Sequence, residues 1–74
     1  MPHIVVTCYK GRTDEQKRAV AEKIAQSAAE AFGLEQSAVS VSVEDVEKSD
    51  WKRVYDEEIR GKPETLFVAP GYEM

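Results

Sequence analysis

The chain has 74 residues, one cysteine, one histidine and a formal net charge of −4 at pH 7. This acidic balance excludes general nucleic-acid binding, which needs a basic surface. The single Cys8 excludes an internal disulfide and is typical of a reducing compartment, and one cysteine with one histidine cannot form a conventional zinc site. We expect a cytoplasmic protein with no metal and no membrane partner, since no apolar run reaches the length of a membrane span and no signal-peptide pattern opens the chain.

The length indicates one domain over residues 1–74 with a marginal core. A chain this short buries only about 60% of its unfolded surface. Domains of this size often depend on disulfides, metals or partner subunits. Because the composition excludes the first two, oligomerisation is the predicted source of further burial.

The first predicted element is a strand over "PHIVVTCY", which is rich in β-branched and aromatic residues. One face carries Ile4, Val6 and Cys8, and the other carries His3, Val5, Thr7 and Tyr9. Apolar residues on both faces predict a strand that is covered on both sides, as parallel strands are.

Pro2 has two interpretations at this point. A proline suits the first residue of a strand, where its missing N–H is not needed. If Met1 is removed, Pro2 instead becomes a free secondary amine, and α-amino groups are among the few groups that titrate near neutral pH.

A helix is predicted from Asp14 to Phe32. Thr13 and Gln16 have the spacing of a capping box, and Gly33 is suited to a left-handed helix end. The predicted apolar stripe contains Val20, Ile24, Ala28, Ala31 and Phe32.

The next segment, "AVSVSVEDV", alternates strictly and predicts a half-buried strand. Strand, helix and strand form a β-α-β unit with parallel strands. The fold class is therefore α/β (α+β), a single β-α-β unit with a short C-terminal helix or helices. Because a two-stranded sheet has open edges, we expect two subunits to pair into a four-stranded sheet.

A second, shorter helix is predicted after a cap at Ser49 or Asp50, and Gly61 is expected to end it. It carries Trp51, Val54, Tyr55 and Ile59. The following "KPETLFVAPGY" fits either a short helix or a short strand. We favour the short helix, because Pro63 suits a first helical turn, and "PGY" indicates a turn.

Most polar residues have ordinary structural interpretations: His3 and Cys8 as strand residues, and "EDVEKSD" as a solvated connection. Three features stand apart from these. They are the proline at position 2, Arg12 in the strand–helix loop, and the aromatic pair Trp51 and Tyr55 near a helix start.

Together these features resemble the 4-oxalocrotonate tautomerase superfamily. The resemblance rests on "MP" before a strand and on "GRTDEQK" opening the helix, and it covers nearly the whole chain. "MPHI", "DEQ", "SW" and the closing "PGY" are similar to the PptA-like branch of phenylpyruvate tautomerases, which is typically dimeric. The shorter oxalocrotonate enzymes make a hexamer the next alternative.

The resemblance implies roles for individual residues. Pro2 matches the catalytic general base, Arg12 matches the arginine that binds a substrate carboxylate, and Trp51 matches an aromatic residue of the pocket. Ser40 stands where the oxalocrotonate enzymes carry a second arginine, which disfavours a dicarboxylate substrate. Tyr55 is added as a flat apolar contact for the substrate.

The expected function is therefore keto–enol tautomerisation of a phenylpyruvate-like acid without a cofactor. An α-amino group has a pKa of about 7.7–8.0. An apolar pocket with a nearby cation would lower the pKa of the Pro2 amine. Two alternatives stay open. One is a hydratase or dehalogenase of a small unsaturated acid, and the other is a non-catalytic dimeric interaction module.

Overall fold

A parallel pair of strands, β1 (His3–Tyr9) and β2 (Ser40–Val46), forms the sheet of the computed structural model, which describes residues 1–74. The connection between the strands is α1 (Asp14–Phe32). The predicted β-α-β unit and its parallel pairing are confirmed. None of the helices combines the length and apolar character that crossing a membrane requires.

The ends of α1 lie where the sequence predicts them. The Thr13 hydroxyl accepts from the Gln16 backbone N–H at 3.1 Å, and the Gln16 side chain accepts from the Thr13 N–H at 2.9 Å. At the other end Gly33 adopts φ 70°, a left-handed conformation that glycine takes without a Cβ penalty. Both signals are local, so the helix bounds follow from the sequence alone.

The packing face of α1 differs from the predicted stripe. The residues turned toward the sheet are Lys17, Ala21, Ile24, Ala25, Ala28 and Ala29. Phe32 is 67% exposed and Val20 is 42% exposed. Alanines allow a helix to approach two strands closely, so the small side chains face the sheet and the larger ones at Val20 and Phe32 stay outside it.

The two faces of the sheet are covered unequally. The Lys17 ammonium on α1 lies 2.8 Å from the Asp45 carboxylate on β2, which places Asp45 and its neighbour Cys8 on the α1 side. The opposite face is covered only where Tyr9 meets Trp51, and Val5 on that face is 48% exposed. The expected cover on both sides is therefore incomplete within one chain.

The C-terminal third begins with a 3₁₀ turn (Lys48–Asp50) that leads into α2 (Trp51–Val54) and a π-helical turn (Tyr55–Ile59). The predicted side-chain cap is wrong. The Trp51 N–H already donates to the Lys48 carbonyl within the 3₁₀ turn, and the Asp50 carboxylate accepts from Arg53 instead.

Gly61 follows this helical segment at a close backbone approach. A Cβ at Gly61 would lie 2.6 Å from the Glu57 carbonyl oxygen and 2.7 Å from that of Asp56, so only glycine fits. The segment "KPETLFVAPGY", for which the sequence allowed a short helix or a short strand, forms a single 3₁₀ turn (Pro63–Thr65) and no strand.

The chain leaves more surface exposed than a compact protein of its mass. A globular monomer of this size exposes about 4,600 Å² and has a radius of gyration of about 11 Å. The observed values are 5752 Å² and 13.6 Å, and only Ala29, Val54 and Tyr55 are buried, each with between 3% and 7% of its surface exposed. One chain therefore lacks a closed core of its own.

Candidate active site

A cavity of about 260 Å³ opens at the carboxyl end of β1. It is lined by Thr7, Cys8, Tyr9, Arg12, Trp51 and Tyr72. Ligands of α/β folds commonly bind beyond the carboxyl ends of parallel strands. Three of the six lining residues are aromatic, and the one charged group among them is the Arg12 guanidinium.

Arg12 is placed on the cavity wall by the turn between β1 and α1. Gly11 adopts φ 124°, which side-chain-bearing residues rarely adopt, and Thr13 then begins the helix cap. One guanidinium nitrogen of Arg12 donates to the Tyr9 carbonyl at 3.4 Å. Arg12 has no carboxylate partner, whereas Arg53 is paired with Asp50 at 3.0 Å. Most of the five donors of Arg12 therefore stay free for an anion.

Two aromatic contacts hold Trp51 in place. The rings of Tyr9 and Trp51 meet edge to face with centroids 5.1 Å apart, a favourable geometry for aromatic pairs. The indole Nε1 of Trp51 donates to the Tyr72 hydroxyl at 3.0 Å. This arrangement presents flat apolar area beside Arg12.

Tyr55 lies behind this wall instead of on it. It is one of the buried residues, its ring is 5.8 Å from that of Tyr72, and its hydroxyl accepts from Arg60 Nε at 3.0 Å. In the single chain it supports Tyr72 and does not line the cavity.

Pro2 lies in a different place. It lines a second cavity of about 260 Å³ with Met1, Phe32 and Leu34. Its carbonyl oxygen accepts from the Ser40 N–H at 3.1 Å, so the proline continues the strand pairing beyond β1. The Met1 ammonium lies 2.6 Å from the Ala38 carbonyl oxygen. With Met1 present, the Pro2 nitrogen is an amide and holds no basic lone pair.

Ser40 is at the same end of the sheet as Pro2. Its hydroxyl lies 2.7 Å from His3 Nδ1, and the Ser42 hydroxyl lies 3.3 Å from His3 Nε2. The imidazole is thus held between two hydroxyls of β2 on the open face of the sheet. No cation from β2 accompanies Pro2 there.

The structure therefore divides the predicted site residues into two groups. Arg12 and Trp51 share one cavity, while Pro2 and Ser40 lie at the other end of β1. A strand of seven residues separates the groups by about 20 Å at 3.3 Å per residue. The sequence interpretation did not single out Tyr9 or Tyr72 as site residues, and only the "PGY" turn hinted that the chain end folds back.

Comparisons with known proteins match this architecture. The model of the "Tautomerase enzyme" family matches residues 2–59. A "Probable tautomerase" of Xylella fastidiosa (strain 9a5c) is 42% identical over 97% of this chain and 89% of its own. "Tautomerase PptA" of Enterobacter sp. (strain 638) is 41% identical over the full length of both chains. The chain belongs to the tautomerase family.

Solved structures agree with that assignment. A 4-oxalocrotonate tautomerase isozyme from Methylibium petroleiphilum is 44% identical, with a TM-score of 0.64 over 68% of this chain and 81% of its own. The apo unfused 4-OT is 35% identical with the same TM-score, over 66% of this chain and 80% of its own. The resemblance to the 4-oxalocrotonate tautomerases is confirmed, and the protein is an isomerase of the tautomerase class.

Proposed function

We propose that the chain, once Met1 is removed, interconverts the enol and keto forms of a phenylpyruvate-like 2-oxo acid. The observation that carries the proposal is the unpaired Arg12 guanidinium on an aromatic wall beside Trp51. An arginine suits a carboxylate because its planar fork can donate two parallel hydrogen bonds. Flat apolar area suits a phenyl ring, because burying the ring against it is more favourable than leaving the ring in water.

In this proposal the Pro2 amine carries the proton. It takes the proton from the enol hydroxyl on C2, and the C2 oxygen becomes a carbonyl as the double-bond electrons move to C3. The same nitrogen returns the proton to C3, so no proton is gained or lost overall. Phe32 and Leu34 beside Pro2 support this role. Apolar surroundings disfavour the protonated, charged amine, so a larger fraction of the amine is neutral and able to accept a proton.

We further propose that the site forms between two chains of a homodimer. About 20 Å separates Pro2 from Arg12 within one chain, which is too far for one small acid to touch both. The chain also exposes about 1,200 Å² more than a compact monomer of its mass, an excess that a dimer contact would cover. The open edges of the two-stranded sheet favour pairing into four strands.

The alternative reactions receive less support. A hydratase or dehalogenase needs a carboxylate to activate water, and neither cavity has a carboxylate on its wall. Membership of the tautomerase family also speaks against a purely structural interaction module. The cytoplasmic location stays a prediction that rests on the single unpaired Cys8.

The direct test of the proposed function is an assay of the ketonisation of phenylpyruvate enol, in which the ultraviolet absorbance of the enol is monitored over time. Intact mass first establishes that Met1 is absent. We expect saturable turnover that needs no added cofactor. A rate equal to the buffer-catalysed reaction would contradict the proposal.

The site between two chains has its own test, which mixes two variants that are each impaired on their own. One variant is Arg12→Ala with a free Pro2 amine, and the other keeps Arg12 but has an extra residue before Pro2. Random pairing gives mixed dimers in about half of the population, each with one complete site of two, and hence about a quarter of the normal activity. If the mixture is no more active than its two components, Pro2 and Arg12 do not meet across an interface.

A further inference from the structure

Tyr72 occupies a position on the cavity that the proposed function has not used. The chain end folds back so that the Tyr72 ring lies 5.8 Å from the ring of Tyr55 and its hydroxyl lies 3.0 Å from the indole nitrogen of Trp51. Tyr72 lines the same cavity as Arg12 and is 45% exposed. A ligand entering this cavity therefore meets Tyr72 directly.

The direction of the Trp51–Tyr72 hydrogen bond follows from chemistry. An indole N–H only donates, so the Tyr72 oxygen is the acceptor. The phenolic proton must then point elsewhere, and it has no acceptor within the chain. A hydroxyl that accepts one hydrogen bond also becomes a better donor for the next. Tyr72 thus offers an unused, polarised O–H on the cavity wall.

A carboxylate bound in this cavity would accept more hydrogen bonds than Arg12 alone is placed to donate. A carboxylate accepts about four hydrogen bonds through its two oxygens, while Arg12 is the only cation on the wall. Ser40, which stands where the oxalocrotonate enzymes carry a second arginine, lies at the opposite end of β2 and does not line this cavity within one chain.

We infer that the Tyr72 hydroxyl is a second hydrogen-bond donor to the substrate carboxylate held by Arg12, and that Trp51 orients it. The inference rests on the proposed binding of a carboxylate at Arg12. A neutral donor in place of a second cation favours a monocarboxylate over a dicarboxylate, because it supplies one directed hydrogen bond without excess positive charge. Tyr72 would therefore set substrate class together with Arg12.

The test measures binding of 3-phenylpropanoate, which lacks the keto group and cannot tautomerise. Trp51 is the only tryptophan in the chain, so its fluorescence reports occupancy of this cavity. The titration midpoint is compared for the unmodified protein, Tyr72→Phe, Arg12→Ala and the control Thr65→Val. Thr65→Val also removes a hydroxyl from the C-terminal segment, but that hydroxyl bonds only to the Lys62 carbonyl.

Tyr72→Phe keeps the ring and its packing on Tyr55, so we expect the fold to be retained. The dissociation constant should rise about tenfold, as expected for a lost hydrogen bond to a charged group. Binding of the neutral 3-phenylpropanamide should weaken only about two- to threefold in the same variant, because the lost hydrogen bond then involves no charge. Thr65→Val should leave both ligands unaffected.

The outcomes separate this inference from the proposed function. If Arg12→Ala weakens binding but Tyr72→Phe does not, the Tyr72 inference is overturned and the carboxylate site stands. If Tyr72→Phe weakens the acid and the amide equally, Tyr72 acts by packing alone and the inference is also overturned. If the unmodified protein shows no saturable response, the carboxylate site itself is wrong.

Discussion

Pro2 and Arg12 lie beyond opposite ends of β1, so about 20 Å of strand separates the proposed amine base from the proposed carboxylate anchor. Each has its own apolar surroundings, with Phe32 and Leu34 around Pro2 and Trp51 beside Arg12. Under the proposed mechanism, this separation leaves a single chain without a complete site. It also means that variants at the two ends should affect different steps, proton transfer at one end and substrate binding at the other.

Arg12→Ala tests the carboxylate anchor. The loss of a hydrogen bond to a charged group costs about 1.5–3 kcal/mol, so kcat/KM for phenylpyruvate enol should fall roughly ten- to a hundredfold. Arg18→Ala is the matched control, because Arg18 is an exposed arginine on α1 away from the cavity. It should change kcat/KM by no more than about twofold. Equal effects of the two variants would show that Arg12 is an ordinary surface residue.

Trp51→Ala tests the apolar wall. If the phenyl ring of the substrate buries about 50 Å² against Trp51, the loss is about 1.2 kcal/mol, or about eightfold. The measurement is the ratio of kcat/KM for phenylpyruvate enol to that for a short aliphatic enol acid. The ratio should fall in Trp51→Ala, since the aliphatic acid has little to bury. An unchanged ratio would remove Trp51 from the substrate pocket.

Ser40→Arg tests why a monocarboxylate is expected. The Ser40 N–H bonds to the Pro2 carbonyl, so a guanidinium at this position would lie beside the proposed base. Efficiency toward a dicarboxylate enol should rise relative to phenylpyruvate enol. Ser42→Arg is the control, because Ser42 also contacts His3 but lies two residues further along β2. A preference that shifts equally in both variants would indicate a general charge effect.

Much of the fold could be predicted from the sequence because its signals are local. Thr13, Gln16 and Gly33 fix α1 through contacts within one or two turns, and the alternation of "AVSVSVEDV" fixes β2. The packing face of α1 agrees less well, because the apolar stripe that helical spacing predicts includes Phe32, which is exposed. Which side of a helix packs depends on the surface it packs against. Here the two-stranded sheet packs against the face of α1 that carries mostly alanines.

The site was predictable only in part for the same reason. Arg12 and Trp51 stand in local patterns that the resemblance identifies. Tyr72 lies 21 residues beyond Trp51, and its contact arises from the course of an irregular C-terminal segment. The π-helical turn at Tyr55–Ile59 likewise has no sequence signature. Tertiary contacts between distant residues decide these features, so periodicity and caps do not report them.

Lys17→Gln tests the link between α1 and β2. The hydrogen bond that the Lys17 ammonium donates to the Asp45 carboxylate, more than any other influence, raises the pKa of Lys17 above its ordinary value. A raised pKa means that the protonated lysine stabilises the fold below its unfolded pKa, and this contribution is lost as the pH rises through the folded value. Lys17→Gln should lower Tm at roughly pH 8, and the deficit should shrink toward roughly pH 11. Lys23→Gln, an exposed lysine without an ion pair, is the control.

A pH-independent deficit in Lys17→Gln would contradict the salt bridge as its cause. Packing of the Lys17 methylene groups against the sheet would then explain the loss, since such stems bury apolar area whatever their charge. The same comparison at high salt separates the two explanations further, because salt screens the ion pair but leaves packing unchanged.

The central claim is that the free amine of Pro2 carries the proton, and one measurement addresses it most directly. The kcat of the processed protein is compared with that of a protein bearing one extra residue before Pro2, with both chain starts verified by intact mass. The extra residue turns the basic amine into an amide and leaves Arg12, Trp51 and the cavity between them in place. We predict that the processed protein is active, that its kcat rises with pH as the amine loses its proton, and that the extended protein loses turnover while still binding 3-phenylpropanoate. An extended protein with the same kcat as the processed one would contradict the claim, because Pro2 could not then be the base.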